Sequence, residues 1–333
     1  MVDRCKRVIG VGAALVDQVA CVPESFLATV RGGKGGMVLV DYPEMSGIVA
    51  RLPAPPSQVP GGSAANTAVG VAQLGMPTRL LAKVGTDPNG AFYRRALGAA
   101  GVEDAAVKFS RDVPTGQCLA LVTPDSQRTM RTFLGASATL APDEITVADF
   151  AGGTVVHVEG YLLFNEALMR HVLATAKAAG CRISIDLAAP EVVREKRAIL
   201  PGLLREYADM VFANEDEAAE FAGSRDEERG LEALRACCRT AVVKLGVRGA
   251  RIAHGEEVCH VEARRVDAAD TTGAGDLWAA GFLYGMLSGL SVADAGRCGA
   301  WVSAEVVQVT GAVIPEEAWV RLRREIATLK PPR

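Results

Sequence analysis

The chain has 333 residues, 49% of them hydrophobic and 23% charged, with a formal net charge of -3. That much apolar side chain excludes a largely disordered chain, and the length allows about two domains of ~150 residues or one large α/β unit. Lys+Arg 36 against Asp+Glu 39 leaves no basic excess, so neither nucleic acid nor an anionic membrane is an expected partner.

The first expected element is a β-branched strand at 7–12 that ends on Gly12. A short strand at 18–22 stops before Pro23, and another at 37–40 follows the glycine-rich turn 32–36. Pro53, Pro55, Pro56 and Pro60 make the stretch before Gly61 and Gly62 a loop or edge segment, because proline cannot donate to a central ladder. Residues 63–74 (SAANTAVGVAQL) are small and apolar at helical spacing, which predicts a helix packed tightly on a sheet. A strand at 78–84 and a helix at 88–100 follow. Within the strand-and-turn region 104–135, the runs 117–123 and 128–133 flank Pro124, Asp125 and Ser126 as a hairpin.

From there the chain alternates. Strands are expected at 154–158, 181–186, 209–213 and 240–245, and helices at 165–179, 190–206, 215–221 and 227–238. A hairpin at 249–262 precedes helices at 274–288, 291–308 and 315–328. Such alternation implies right-handed crossovers and a mostly parallel sheet covered on both faces. The short strands near 18–22, 37–40, 56–60 and 117–133 are too many for that sheet. They are assigned to a small β-rich lid, segments about 17–60 and 115–135, inserted into a single α/β domain over 1–333.

The eight cysteines form no CxxC pair and do not combine with the four histidines at zinc-finger spacing, so they read as apolar thiols in a reducing compartment. The N-terminus has no apolar stretch of signal-peptide length, and the apolar run 277–293 is short of the ~20 residues that span a bilayer. A cytoplasmic location is expected.

Familiar phosphate motifs fail. Gly10-Val11-Gly12 follows a strand, but Leu15 stands where a dinucleotide fingerprint needs its third glycine. Gly33-Lys34 is followed by Gly35 rather than Ser or Thr, and Ala28 replaces the first P-loop glycine. Any phosphate cradle must be built elsewhere. The stretch 270–276 (DTTGAGD) before an apolar helix is the best candidate. Its glycines permit unusual φ values, and a helix start offers unpaired N–H groups and about half a positive charge. Asp276 would sit in the first turn, where the helix terminus should keep it ionised as a weak base beside a substrate hydroxyl.

Residues 270–282 (DTTGAGDLWAAGF) resemble the C-terminal signature of the PfkB, or ribokinase-like, carbohydrate kinases, and 61–75 (GGSAANTAVGVAQLG) resemble the N-terminal one. Two shorter elements, 214–217 (NEDE) and 244–249 (KLGVRG), resemble the family's NxxE motif and nucleotide-loop strand. The resemblance therefore covers nearly the whole chain. It implies a three-layer α/β/α sheet fold with a lid, and an ATP- and Mg²⁺-dependent transfer of phosphate to a primary hydroxyl. In that reading Asp276 is the catalytic base, and the backbone N–H groups of Gly273, Ala274, Gly275 and Asp276 form the anion hole. Asp17, Gly62 and Asn66 would bind the acceptor. Asn214, Lys244, Gly246 and Gly249 would bind ATP, and Glu217 would hold Mg²⁺ through water. Asp270 and Thr272, with the Thr310–Gly311 turn, offer oxygens to an optional potassium ion.

Three further stretches most resemble the adenosine kinase branch: FLATVRGGKGGMVLVD, PTGQCLALVTPDSQRTMRTFLGA and VEGYLL. Two positions depart from the eukaryotic-type members of that branch. Ala13 stands where they carry Asn, and Leu162 where they carry an aromatic that stacks on the base. The acceptor is thus a nucleoside, adenosine first, or a free sugar as in a ribokinase or fructokinase. A non-catalytic ligand-binding protein on the same fold is the third reading; such a protein would be expected to lack Asp276 or an anion-hole glycine. The lid should close over the acceptor and exclude water. In many relatives the lid sheet also pairs with a second subunit, which leaves a homodimer open here.

Overall fold

A computed structural model describes residues 6–125 and 127–331. Its centre is a nine-stranded sheet in the order Glu257–Val261, Ala250–His254, Thr240–Lys244, Met210–Asn214, Arg182–Asp186, Val155–Glu159, Val8–Val11, Thr78–Leu81 and Val102–Glu103. The seven strands from Thr240–Lys244 to Val102–Glu103 run parallel, and the other two close the edge as an antiparallel hairpin. Val8–Val11 therefore lies between partners far away in sequence. The inner strands are buried throughout, as a sheet covered on both faces requires.

Helices Glu166–Ala178, Leu200–Tyr207, Glu215–Ala222 and Glu227–Arg235 cover one face through a core that includes Ile183, Val211 and Leu234. On the other face Ala274–Ser288 and Val292–Val306 pack through Trp278, Phe282 and Ala295. The result is the three-layer α/β/α architecture expected from the alternation. Among the described residues no helix is long and apolar enough to cross a membrane.

A separate five-stranded sheet joins Met37–Leu39, Arg128–Phe133, Gly116–Val122, Leu15–Cys21 and Ser57–Gly61 in that order. The proline-punctuated strand Ser57–Gly61 is an edge strand, where a missing donor costs nothing. The sheet's outer face is covered by the segment that includes Leu27, Met45 and Ile48. Ser126, in the turn of the expected hairpin, and Cys5 lie outside the described residues.

Three elements differ from expectation. The helix expected over 190–206 is two, Pro190–Glu195 and Leu200–Tyr207; the second carries Pro201 in its first turn, the one place where the missing N–H is harmless. The strand expected over 78–84 breaks at Ala82, and Lys83–Gly85 pairs instead with Lys108–Ser110. An additional helix, Tyr42–Val49, is capped by Asp41, whose carboxylate accepts from Glu44 N at 2.9 Å.

Candidate active site

Strand alternation sets the floor of the site. Glu159, Asp186, Asn214 and Lys244 end their strands on the face that packs Phe212 against Trp278 and Phe282. Above this floor two helices begin side by side. Their approach depends on Gly70: a Cβ there would lie 2.6 Å from Ala280 Cβ and 2.8 Å from Leu277 Cδ1. The first turn of Ser63–Gln73 consequently faces the first turn of Ala274–Ser288. Ser63 Oγ donates to Asp276 Oδ1 at 2.7 Å, and Asn66 Nδ2 donates to Oδ2 at 2.9 Å. Thr67 Oγ1 donates to the Asp276 carbonyl at 3.1 Å.

Burial pushes the Asp276 carboxyl above its ordinary value; the bonds from Ser63 and Asn66 work against it, Asp186 adds to it, and Lys244 opposes it. The helix terminus alone therefore does not fix its ionisation, contrary to the expectation from position. A carboxylate kept dry is a stronger base than one in water.

The bend before it has Gly273 at φ +74°, which only glycine adopts without strain. The N–H groups of Gly273, Gly275 and Asp276 find no acceptor among the described residues, whereas Ala274 N donates to Thr271 O at 3.2 Å. The amides of the bend left free are thus those of 273, 275 and 276, and the expected Ala274 amide is spent on the turn. A Cβ on Gly275 would fall 3.0 Å from Lys244 Nζ, so that ammonium lies against the free amides. Lys244 Nζ also pairs with Asp186 Oδ2 at 2.8 Å. Burial alone would discharge this lysine, but Asp186 and Glu217 outweigh burial and hold its pKa above the ordinary value. Reciprocally, burial would raise Asp186, and Lys244 holds it low. Asp186 Oδ1 accepts from Ala188 N at 2.9 Å, and Ala188, at φ +69°, is the one non-glycine residue with positive φ among those described. That strain sits on the rim of the site.

A cleft of about 950 Å³ opens over these groups, at the upper end of the range for small-molecule sites. It runs from Ser63, Tyr161 and Asp276 past Lys244 to Gly246 and Gly249. Gly246 and Gly249 have φ of +57° and +88°, and a Cβ on Gly249 would lie 1.9 Å from Val261 O. Asn214 and Glu217 form a capping box: Asn214 Oδ1 accepts from Glu217 N at 2.8 Å, while the Glu217 carboxylate accepts from Asn214 N and Nδ2 at 2.8 and 2.7 Å. Glu217 still lines the cleft, and burial followed by the charge of Asp186 pushes it up to about 7.

Asp17 projects from the strand Leu15–Cys21 on the five-stranded sheet. Its carboxylate occupies the space a Cβ on Gly61 would need, at 2.2 Å. Gly62 has φ +103°, and a Cβ there would meet Ala13 O at 2.1 Å. Burial and then the charge of Asp276 push Asp17 up to about 7, against the pull of Arg128.

Asp270 and Thr272 are engaged with Arg128 and with each other, as described below. Leu162 is buried in the core under the short turn Gly160–Phe164, so it is not the residue facing the site. Tyr161 is; it is 43% exposed in the cleft, and burial of its ring end pushes its hydroxyl up to about 12.

Five residues at the site carry no sequence assignment: Ser63, Glu159, Asp186, Tyr161 and Arg128. Ser63 stands three positions before Asn66 on one helix face, a spacing that points to a shared target. Glu159 and Asp186 are acids closing buried strands, at the end where open α/β sheets take ligands. Glu159 accepts from Ala13 N and Ala64 N at 2.8 and 3.2 Å, joining the first strand-turn to the helix that carries Ser63. Nothing in the sequence marks Arg128.

The raised carboxylates have a consequence for stability. Asp17, Glu159 and Glu217 are each pushed up to about 7, chiefly by burial. The folded protein therefore holds protons between pH ~4 and ~7 that the unfolded chain has released, and stability from these groups is lost as pH rises through that window. The ligand-free protein is expected to melt higher at pH 5.5 than at pH 8, and Glu159→Gln should flatten the slope. Melting curves that rise with pH, or that respond identically in the variant, would contradict this account.

A family model described as pfkB family carbohydrate kinase matches residues 39–319. A solved structure of a probable sugar kinase from Rhizobium etli is similar at a TM-score of 0.86 and 31% identity, covering 98% of this chain and 99% of that one. The adenosine kinase of Sinorhizobium meliloti is similar at 0.85 and 32%, covering 97% and 99%. A fructokinase of Klebsiella pneumoniae is 32% identical over 241 residues, 69% of this chain and 77% of the relative.

Proposed function

The chain belongs to the pfkB family of carbohydrate kinases, it is a sugar or nucleoside kinase, and we propose that its acceptor is a nucleoside, adenosine first. The observation that carries this reading is the inward face of the five-stranded sheet. Register puts Val59, Asp17, Cys118, Thr132 and Leu39 in one row, Ser57, Val19, Ala120, Met130 and Met37 in the next, and Cys21, Val122 and Arg128 in a third. Between Asp17 and Arg128 that face is mainly apolar, with Thr132 and Ser57 its other polar side chains, and Met37 and Leu39 are half-exposed. A free sugar needs a hydrogen-bonding partner for each buried hydroxyl, and unpaired ones cost ~1–3 kcal/mol apiece. A nucleoside presents a few ribose hydroxyls to one carboxylate and a flat base to an apolar surface. Tyr161, which lines the cleft with Ser63 and Asp276, adds an aromatic ring.

In this reading the five-stranded sheet is the lid. Asp17 accepts from ribose hydroxyls, with Gly62 allowing close approach of the backbone. Asp276 takes the proton from the primary hydroxyl as that oxygen attacks the γ-phosphate of ATP, and Ser63 and Asn66 hold the carboxylate toward it. Charge on the transferring group falls on the amides of Gly273, Gly275 and Asp276 and on Lys244. The triphosphate follows the cleft toward Asn214, with Gly246 and Gly249 against the nucleoside of ATP. Magnesium fits the donor chemistry here: Glu217 and Asp186 are hard oxygen ligands on the cleft. Carried by the phosphates and water beside Glu217, the ion would neutralise β- and γ-phosphate oxygens.

The test is a panel of nucleosides and sugars at fixed ATP and magnesium, read as kcat/KM. Adenosine is expected to exceed fructose and ribose by ~10²-fold or more, the worth of two or three apolar contacts. A preference for fructose or ribose would overturn the nucleoside reading and leave the kinase assignment standing.

A further inference from the structure

We infer that the guanidinium of Arg128 is the resident positive charge of the Asp270–Gly273 bend, so that this kinase turns over without an alkali cation there. The inference rests on the phosphoryl-transfer reading of the bend given above, and it holds for either class of acceptor. Family resemblance implies potassium at Asp270 and Thr272, but the side-chain oxygens there are already engaged and the positive charge an alkali ion would bring is already present. The Asp270 side chain is 6% exposed and both its oxygens are committed. Oδ1 accepts from Thr272 N at 3.0 Å and from Thr272 Oγ1 at 2.8 Å. Oδ2 accepts from Gly311 N at 2.6 Å and pairs with Arg128 Nη2 at 2.7 Å. The second arm of the guanidinium, Nη1, donates to Thr272 Oγ1 at 2.7 Å, so the hydroxyl that would face a cation faces a cation already.

The 310–311 turn adds to the neutralisation of this carboxylate. Gly311 turns its N–H toward the carboxylate, and an N–H cannot ligate a metal ion. Burial works to raise Asp270, yet the bonds from Gly311 and Thr272 and the charge of Arg128 hold it below its ordinary value. The carboxylate is thus ionised and neutralised from within the chain. A planar two-armed donor is suited to this place because it bridges Asp270 and Thr272 at once, which a spherical ion would have to do by coordination.

Position gives the contact a second property. Arg128 opens the strand Arg128–Phe133 of the five-stranded sheet, while Asp270 and Thr272 belong to the bend that carries the free amides. The charge that steadies the anion hole therefore arrives with the acceptor-side sheet. An alkali ion would bind the bend whether or not that sheet was in place.

The experiment measures turnover of the full chain, with its best acceptor and saturating ATP and magnesium, in chlorides of potassium, sodium and tetramethylammonium at equal ionic strength. Wild-type kcat is expected to agree within about twofold across the three salts. Arg128→Ala is expected to lose ~10²-fold in tetramethylammonium, the typical cost of one charge-stabilising group, and to recover part of it on adding guanidinium chloride at low millimolar concentration. Arg128→Lys should retain more activity than Arg128→Ala. Melting of the ligand-free proteins gives a readout apart from catalysis: Arg128→Ala should melt lower than wild type. Collapse of wild-type activity without potassium would overturn the inference, and so would an Arg128→Ala enzyme with wild-type kcat and melting. The wild-type salt series decides the matter even if both variants misfold. Failure of the nucleoside reading shows instead as a preference for a sugar in the acceptor panel, with the salt series unchanged.

Discussion

Asp276→Asn is expected to lower kcat by ~10²–10⁴-fold, the range for losing a positioned base in a polar, water-poor site. Shape is preserved, and Ser63 Oγ still finds an oxygen to donate to. The amide nitrogen would oppose Asn66 Nδ2, but Asn66 can turn its own oxygen to meet it. What is lost is the proton acceptor. Stability should move the other way, because the carboxylate is buried and raised, so ionising it costs the fold something that an amide does not. A variant that melts at or above the wild-type temperature and barely turns over separates function from folding. One that keeps more than a tenth of wild-type kcat would remove Asp276 from the role of base.

Lys244→Met should damage both properties together. The ammonium is paired with Asp186 at 2.8 Å, both side chains are largely buried, and Glu217 depends on the same charge. Removing one partner of a buried pair typically costs ~3–5 kcal/mol, because the other charge is left without compensation. The same change removes the positive charge beside Gly275, so kcat/KM for ATP should fall by ~10²-fold. Pairing it with Asp186→Asn should return most of the denaturant midpoint and none of the rate. If the single variant unfolds at the wild-type urea concentration, the pair does not stabilise the fold in the way its geometry implies.

The parts legible in the sequence are those written in local pattern. Strand and helix alternation after residue 150 announced the sheet, and the glycines of the 270–276 bend announced a helix start with spare amides. Proline spacing put Ser57–Gly61 at an edge. Tertiary approach was not legible. Ser63 gains its role only because Gly70 lets two helices touch, and Arg128 because a hairpin reaches across to Asp270. Leu162 and Tyr161 were exchanged because a short 3₁₀ turn decides which of two neighbours faces solvent, and propensity does not see that rotation. The raised Asp276 was missed for a similar reason: a helix end favours the anion, but the dryness that opposes it comes from distant elements.

The meeting of two helix starts at one carboxylate also sets when this enzyme can first act. Ser63 and Asp276 stand 213 positions apart. Synthesis proceeds from the N-terminus, and emerging segments fold as they become able to. A nascent chain therefore displays Asp17, Gly62 and Asn66 long before the ribosome has added the base or the amides that receive phosphate. Such an intermediate lacks the carboxylate on which Ser63 and Asn66 converge. A product that ends before residue 276 leaves Ser63 and Asn66 without their shared partner.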